Sequence, residues 1–286
     1  MKPILKYRGG KSREIKFFKD LIPDFDTYIE PFFGGGSVFF DLEPEKSIIN
    51  DINSSLIKFY TEVRDIYPTI RAELDILQKE YEENRKKFML LKSENPEERV
   101  HDENETVYYR IRDMFNEKVE QKLSFGTIYY YINKTAYSGM IRYNQNGEYN
   151  VPYGRYANFN TKLLTKEHSF LLKNSSILNG NYIEAFNKST SKDFIFLDPP
   201  YDTIFSEYGN EAFTGDFGEK EHRKLAEDFR NLDAKTMLVI GETPLIRELY
   251  SPFIYDSYGK SYAVNIRNRF KSEANHLIIS NYLGTK

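Results

Sequence analysis

Residues 25–42 read FDTYIEPFFGGGSVFFDL, and the three parts of this stretch differ in kind. A short β-rich run ends at Pro31, a loop of three glycines follows, and apolar residues recur at helical spacing from Ser37, which predicts strand, loop and helix. Such a loop turns backbone N–H groups toward an acidic or nucleotide-like ligand at the helix N-terminus. A bare triple glycine also suits a simple tight turn, so its neighbours decide between the two.

The next stretch, SIINDINSSLIKFYTEV (47–63), gives a second strand ending in Asn50 and Asp51, with Asn53 or Ser54 placed to cap an amphipathic helix. Asp51 stands where an acid accepts hydrogen bonds from ribose hydroxyls; helix capping is its plainer role. No lysine followed by serine or threonine comes after the glycines at P-loop spacing, which favours an adenosine ligand without a triphosphate.

Further along, strand signals resume at SSILNGNY (175–182), DFIFLD (193–198), TMLVIGET (236–243) and ANHLIISNY (274–282), with a charged helix between two of them (218–232). Residues 71–120 are charge-rich with apolar residues at helical spacing, broken by Pro96, and predict solvated helix plus a flexible loop. Residues 131–159 change to Tyr, Asn, Gly and Arg around an Asn146-Gly147 turn, which is hairpin chemistry. The predicted fold class is therefore α/β, with a Rossmann-like sheet domain built from residues 1–52 and 165–286 and a helical and β-hairpin insertion at 53–164.

Composition narrows the function. The 286 residues are 40% hydrophobic and 29% charged with no apolar run near bilayer length, and the start lacks a signal-peptide pattern, so the expected compartment is the cytoplasm. With no cysteine and four scattered histidines, no metal site is expected. The formal net charge of -3 means that nucleic-acid binding must use a local patch.

The strand DFIFLD runs into Asp-Pro-Pro-Tyr at 198–201. Two prolines fix the backbone and remove two donors, so Asp198 and the Pro199 carbonyl point into the cleft at the end of the strand, and Pro200 leads to Tyr201. Two adjacent acceptors match an amino group with two hydrogens, and Tyr201 offers a face for a planar base. The arrangement is shaped to hold a nucleobase amine; a strand-ending turn is the alternative.

Five stretches in order carry a resemblance: LKYRGGK (5–11), EPFFGGGSVF (30–39), NDINSSL (50–56), NKTAYSGMIRYNQNGEYNVPYGRY (133–156) and DPPY (198–201). Together they resemble the Dam-type, D12 class of α-group DNA adenine-N6 methyltransferases over nearly the whole chain. The resemblance implies S-adenosylmethionine as methyl donor, double-stranded DNA as substrate and a bacterial or phage-infected cell as setting, and it admits a cognate restriction endonuclease as partner. It implies contacts to the methyl donor from Tyr7, Lys11, Phe32, Gly34, Gly36, Asp51 and Asp198, and a flipped adenine held by Asp198, Pro199, Pro200 and Tyr201.

Tyr137, Ser138, Met140, Arg142 and Pro152 match positions with which the family's GATC enzymes enter the duplex and read bases, and the resemblance makes Lys6 a candidate DNA contact. An arginine at 142 can bond guanine in bidentate fashion, and Tyr137 resembles the residue that wedges into the stack. On residues alone, Lys6 and Lys11 read as an ordinary charged helix face, Arg142 as a phosphate contact or a structural arginine, and Tyr137 as a core tyrosine. Ser138 departs from the asparagine of well-known members. An RNA adenine methyltransferase and a non-catalytic DNA-binding regulator are the alternative functions. The stretch at 210–222 is a further candidate for contact with the target strand.

Overall fold

The computed structural model describes residues 1–7, 9–202, 217–261 and 273–284. Two compact units divide the chain: one comprises Lys11–Gly34, Pro44–Asn53 and Ser175–Lys286, the other Met1–Gly10, Gly35–Glu43 and Ser54–Asn174.

The first unit holds a mixed sheet. Its strands are β1 (Tyr28–Glu30), β2 (Ser47–Asp51), β3 (Ser175–Asn179), β4 (Phe194–Leu197), β5 (Lys235–Gly241), β6 (Ile254–Ser261) and β7 (Glu273–Ser280). Among the described residues they lie in the order β3-β2-β1-β4-β5-β7-β6. The first five run parallel, β7 is antiparallel to β5, and β6 is antiparallel to β7. Strand order reverses between β1 and β4, and ligands of open α/β sheets bind beyond the carboxyl ends of strands at such a reversal. Asp51 ends β2 and Asp198 follows β4, so both acids singled out in the sequence lie on that edge of the sheet.

Period-two alternation explains one face of the sheet: Ile29, Ile195, Leu197, Leu238, Ile240, Leu277 and Ile279 form one buried cluster. It is covered by α6 (Tyr182–Phe186), α7 (Glu219–Arg230) and α8 (Pro244–Tyr250). Helix α7 buries His222, Leu225, Ala226 and Phe229, one stripe at helical spacing, and exposes its charges. On the opposite face Phe18 stacks on Phe196 with ring centres 5.4 Å apart.

In the second unit, α1 (Ser37–Leu42) sets Phe40 against Tyr60 and His168. Around it are α2 (Ser54–Glu94), α3 (Glu103–Phe115), α4 (Phe125–Thr135) and α5 (Lys166–Lys173). Helix α2 kinks at Ile66, two residues before Pro68. Pro68 cannot donate to the carbonyl of Arg64, and the Ser169 hydroxyl of α5 donates to it instead at 3.2 Å. The flexible loop expected within 71–120 is mostly ordered helix: α2 continues to Glu94, just short of Pro96, and α3 runs from Glu103 to Phe115.

Every residue of α4 is buried. Tyrosines around it serve as core and as hydrogen-bond donors together, because the phenol carries a hydroxyl at the end of an apolar body. Tyr81 donates to the carbonyl of Tyr156, Tyr108 to that of Val151, Tyr130 to that of Asn160 and Tyr149 to that of Met140. Asn116 bonds both the N–H and the carbonyl of Tyr149. These bonds give partners to the backbone of residues 140–160, which contains no extended β-ladder. Among the described residues, no helix is long and apolar enough to cross a membrane.

Candidate active site and outward hairpin

The glycine loop is tied to β2. Phe33 N–H donates to the carbonyl of Asn50 at 2.9 Å and Gly34 N–H to Asp51 Oδ2 at 2.8 Å. Asp51 Oδ1 accepts from Asn53 N–H at 2.9 Å. Asp51 thus ties Gly34 to the chain at Asn53, and it is 9% exposed. Burial raises its pKa, opposed by the N–H donors of Asn53, Gly34 and Ile52. Asn50 spans the strand ends, donating to the carbonyls of Pro31 and Gly180, both at 3.0 Å, while its buried Oδ1 has no hydrogen-bond partner among the described residues. Phe32 packs on Tyr182 of α6. Gly34 and Gly36 have φ of 50° and 63°, conformations that favour glycine.

In the second unit, a Cβ on Gly35 would stand 2.7 Å from the Cβ of Tyr7, so only glycine allows this approach. Tyr7 is thereby placed against Gly35, with Gly36 opening α1.

At the end of β4, Lys11 is 1% exposed. Its ammonium donates to Asp198 Oδ1 at 2.5 Å and to the Tyr201 hydroxyl at 2.8 Å. Lys11 therefore does not lie on a charged helix face; it reaches both ends of the Asp-Pro-Pro-Tyr stretch. Asp202 Oδ2 accepts from the hydroxyl of Thr243, which also caps α8. The Tyr201 ring lies against Gly241. His222 of α7 is fully buried, and its pKa is lowered chiefly by burial. Thr243 carried no recognisable signal in the sequence, because its partner Asp202 is distant along the chain.

The outward hairpin belongs to the second unit. Asn133 accepts from Lys6 N–H at 2.9 Å and donates to its carbonyl at 2.8 Å, so one side chain pairs with both groups of a backbone residue. The Lys6 ammonium donates to the carbonyl of Lys134 and lies 4.0 Å from the Tyr156 ring centre. Tyr137 is 55% exposed whereas Tyr129, Tyr130 and Tyr131 are buried, so it is no core tyrosine. Ser138 and Pro152 are exposed and Met140 half-buried. Ser138 has φ 56°, a conformation that asparagine tolerates more readily than serine.

Arg142 is exposed, and its Nε donates to Asn150 Oδ1 at 2.8 Å across the hairpin. The turn forms at Asn144–Gly147: Asn144 N–H donates to the Glu148 carbonyl, and its side chain accepts from the N–H groups of Asn146 and Glu148. The stretch 210–222 cannot be placed as a whole, since residues 210–216 lie outside the described residues; Glu219–His222 open α7.

Lys134 is buried, and its ammonium donates to the carbonyl of Ile4. Burial, with a smaller contribution from Lys6, lowers its pKa to about 8. Between pH 8 and the ordinary lysine value of about 10.4 the unfolded chain binds a proton that the folded chain does not, so this group makes stability rise with pH over that window. Thermal midpoints of the wild type and Lys134→Met across pH 7–10 are expected to show the rise in the wild type and its loss in the variant. Parallel profiles would remove Lys134 as the cause.

A sequence profile of the D12 class N6 adenine-specific DNA methyltransferases matches residues 7–264. The chain belongs to that class. It is similar to the type II methyltransferase M.CviBI of Paramecium bursaria Chlorella virus NC1A, with 35% identity covering 99% of this chain and 100% of the relative. It is also similar to the type II methyltransferase M.MjaIII of Methanocaldococcus jannaschii, at 34% identity over 83% of each chain. A DNA adenine methylase of Salmonella typhi is 27% identical over 94% of this chain and 88% of its own. This adenine-specific DNA methyltransferase accordingly has the mixed α/β sheet of methyltransferases that use S-adenosylmethionine, and its class implies that donor.

Proposed function

We propose that this methyltransferase moves a methyl group from S-adenosylmethionine to the exocyclic amino group of an adenine turned out of a short duplex site, with GATC as the site. The observation that carries the reading is the Lys11–Asp198–Tyr201 group at the end of β4, beside the strand-order reversal. Residues 1–52 and 165–286 would bind the donor and catalyse, and 53–164 would read DNA. The type II names of two relatives support a cognate restriction endonuclease as partner.

The residues present fit the donor. Asp51 keeps acceptor capacity beyond its bonds to Gly34 and Asn53, as a carboxylate offers about four acceptor positions, and that suits ribose hydroxyls. Phe32, Gly34 and Gly36 line the loop approach, with Tyr7 and Lys11 as further contacts. When bound, S-adenosylmethionine supplies an electrophilic methyl group on a sulfonium.

On the acceptor side, Asp198 and the Pro199 carbonyl would each accept one amino hydrogen, drawing electron density toward the nitrogen and fixing its lone pair toward the donor. Pro200 holds the backbone turn, and Tyr201 offers its face to the base. The amino nitrogen would take the methyl group from the sulfonium, which would leave as the neutral thioether, and would shed one proton to water. Lys11 sets the rotamers of the carboxylate and the phenol.

Lys6, Tyr137, Ser138, Met140, Arg142 and Pro152 would meet the DNA. Sequencing methylated adenines in DNA from a host without adenine methylation, expressing this chain, tests the reading: modification confined to GATC supports it. Another single motif would replace GATC, and unmodified DNA with methylated RNA would replace the polymer. Arg142→Ala is expected to relax base choice at one position by about 1–3 kcal/mol of discrimination, with smaller loss of general affinity. Equal weakening on all sequences would make Arg142 a phosphate contact.

A further inference from the structure

The sheet carries an unusual row of side chains beside Tyr201. Gly241 on β5 lies opposite His276 on β7, and His276 lies opposite Tyr258 on β6. Directly opposed residues share a face, so these three positions form one line across the strands. Gly241 contributes no side chain, and the Tyr201 ring packs over it: a Cβ there would meet Tyr201 Cδ2 at 3.5 Å and Cε2 at 3.8 Å, which is ordinary contact distance. His276 then meets Tyr201 edge to face, with ring centres 5.4 Å apart at 80°. Tyr258 lies 5.5 Å beyond His276, and Phe17 stacks on Tyr258 at 4.5 Å.

Glu14 closes the row. Its Oε2 accepts from the Tyr258 hydroxyl at 2.7 Å and lies 3.0 Å from His276 Nδ1. His276 is fully buried and Glu14 is 4% exposed. The approach to His276 Nδ1 lacks hydrogen-bond geometry, so Glu14 acts on the imidazole as a close acidic neighbour, and its directed bond is the one that fixes Tyr258, the ring packed behind His276.

We infer that Glu14 and His276 are positioning residues for Tyr201, holding the ring plane on which the target base stacks. The inference rests on the role given to Tyr201 above. Lys11 fixes the hydroxyl end of Tyr201, Gly241 gives the ring a floor on β5, and His276, packed between Tyr201 and Tyr258 with Glu14 at its edge, sets its tilt. A stacking platform needs all three, because a ring free to tilt meets the base in many poses, of which few are productive.

The test is a double-mutant cycle on single-turnover methyl transfer using Tyr201→Ala, His276→Leu and their combination, with Glu14→Gln and its combination as a parallel cycle should His276→Leu fold poorly. A duplex with 2-aminopurine at the target position reports stacking. Each of His276→Leu and Glu14→Gln is expected to slow transfer about tenfold, keep S-adenosylmethionine affinity within about twofold and raise 2-aminopurine emission. Each double variant is expected to be no slower than Tyr201→Ala alone. Losses that multiply in the doubles, or wild-type rates in folded single variants, overturn the inference while Tyr201 keeps its role. Wild-type transfer by Tyr201→Ala removes that role itself, and the inference with it.

Discussion

Asp198→Ala is expected to remove methyl transfer and also to weaken the fold. The chemical loss follows from the acceptor role of the carboxylate: without it the amino group is neither oriented nor polarised, and a rate loss of about 10³-fold or more is expected. The sequence alone suggests a variant whose fold is largely intact. The structure adds a second effect, since the buried Lys11 ammonium loses its carboxylate partner. Breaking a buried ion pair from one side costs roughly 3–5 kcal/mol, and somewhat less here because Asp198 retains partial access to water. Transfer of labelled methyl groups and thermal unfolding, run side by side, separate the two effects. The double variant Lys11→Met with Asp198→Ala is expected to recover much of the lost midpoint and none of the activity. Near-normal transfer by Asp198→Ala would remove it from the mechanism.

Asp51→Ala is expected to lower S-adenosylmethionine affinity by about 10²-fold or more, with little change in DNA affinity. Two charge-assisted hydrogen bonds to ribose hydroxyls would each contribute about 1.5–3 kcal/mol, which corresponds to that range. The variant also releases the N–H groups of Gly34 and Asn53, so the loop that approaches the donor loses its tether. Asp51→Asn should fall between, because an amide presents an acceptor to one of these N–H groups and a donor to the other. Calorimetric titration decides the matter, and wild-type affinity in Asp51→Ala would leave Asp51 a structural residue of the loop alone.

The parts of this molecule that could be read in advance are those whose cause is local. The β1–loop–α1 passage, the acid at the end of β2 and the apolar β4 leading into Asp198 each announce themselves within a few residues. The illegible parts depend on distant partners. The burial of Lys11 is decided by Asp198 and Tyr201. Helix α2 continues past Pro68 because Ser169 meets the orphaned carbonyl. Strand β6 reads IYDSYGKS, with polar residues and glycine throughout, and is a strand because β7 pairs with it. Asn133 looks like one more helix residue until Lys6 is found along its amide.

The tyrosine hydroxyls beneath residues 140–160 have one more consequence. Their bonds end on main-chain carbonyls, which every amino acid possesses, so the attachment is indifferent to what the hairpin displays on its outer side. Exposed positions such as Arg142 and Pro152 can be rewritten while the anchorage stays the same. The scaffold behaves as a typeface holder: descendants of one ancestor could exchange the letters that meet the substrate without rebuilding the frame that carries them.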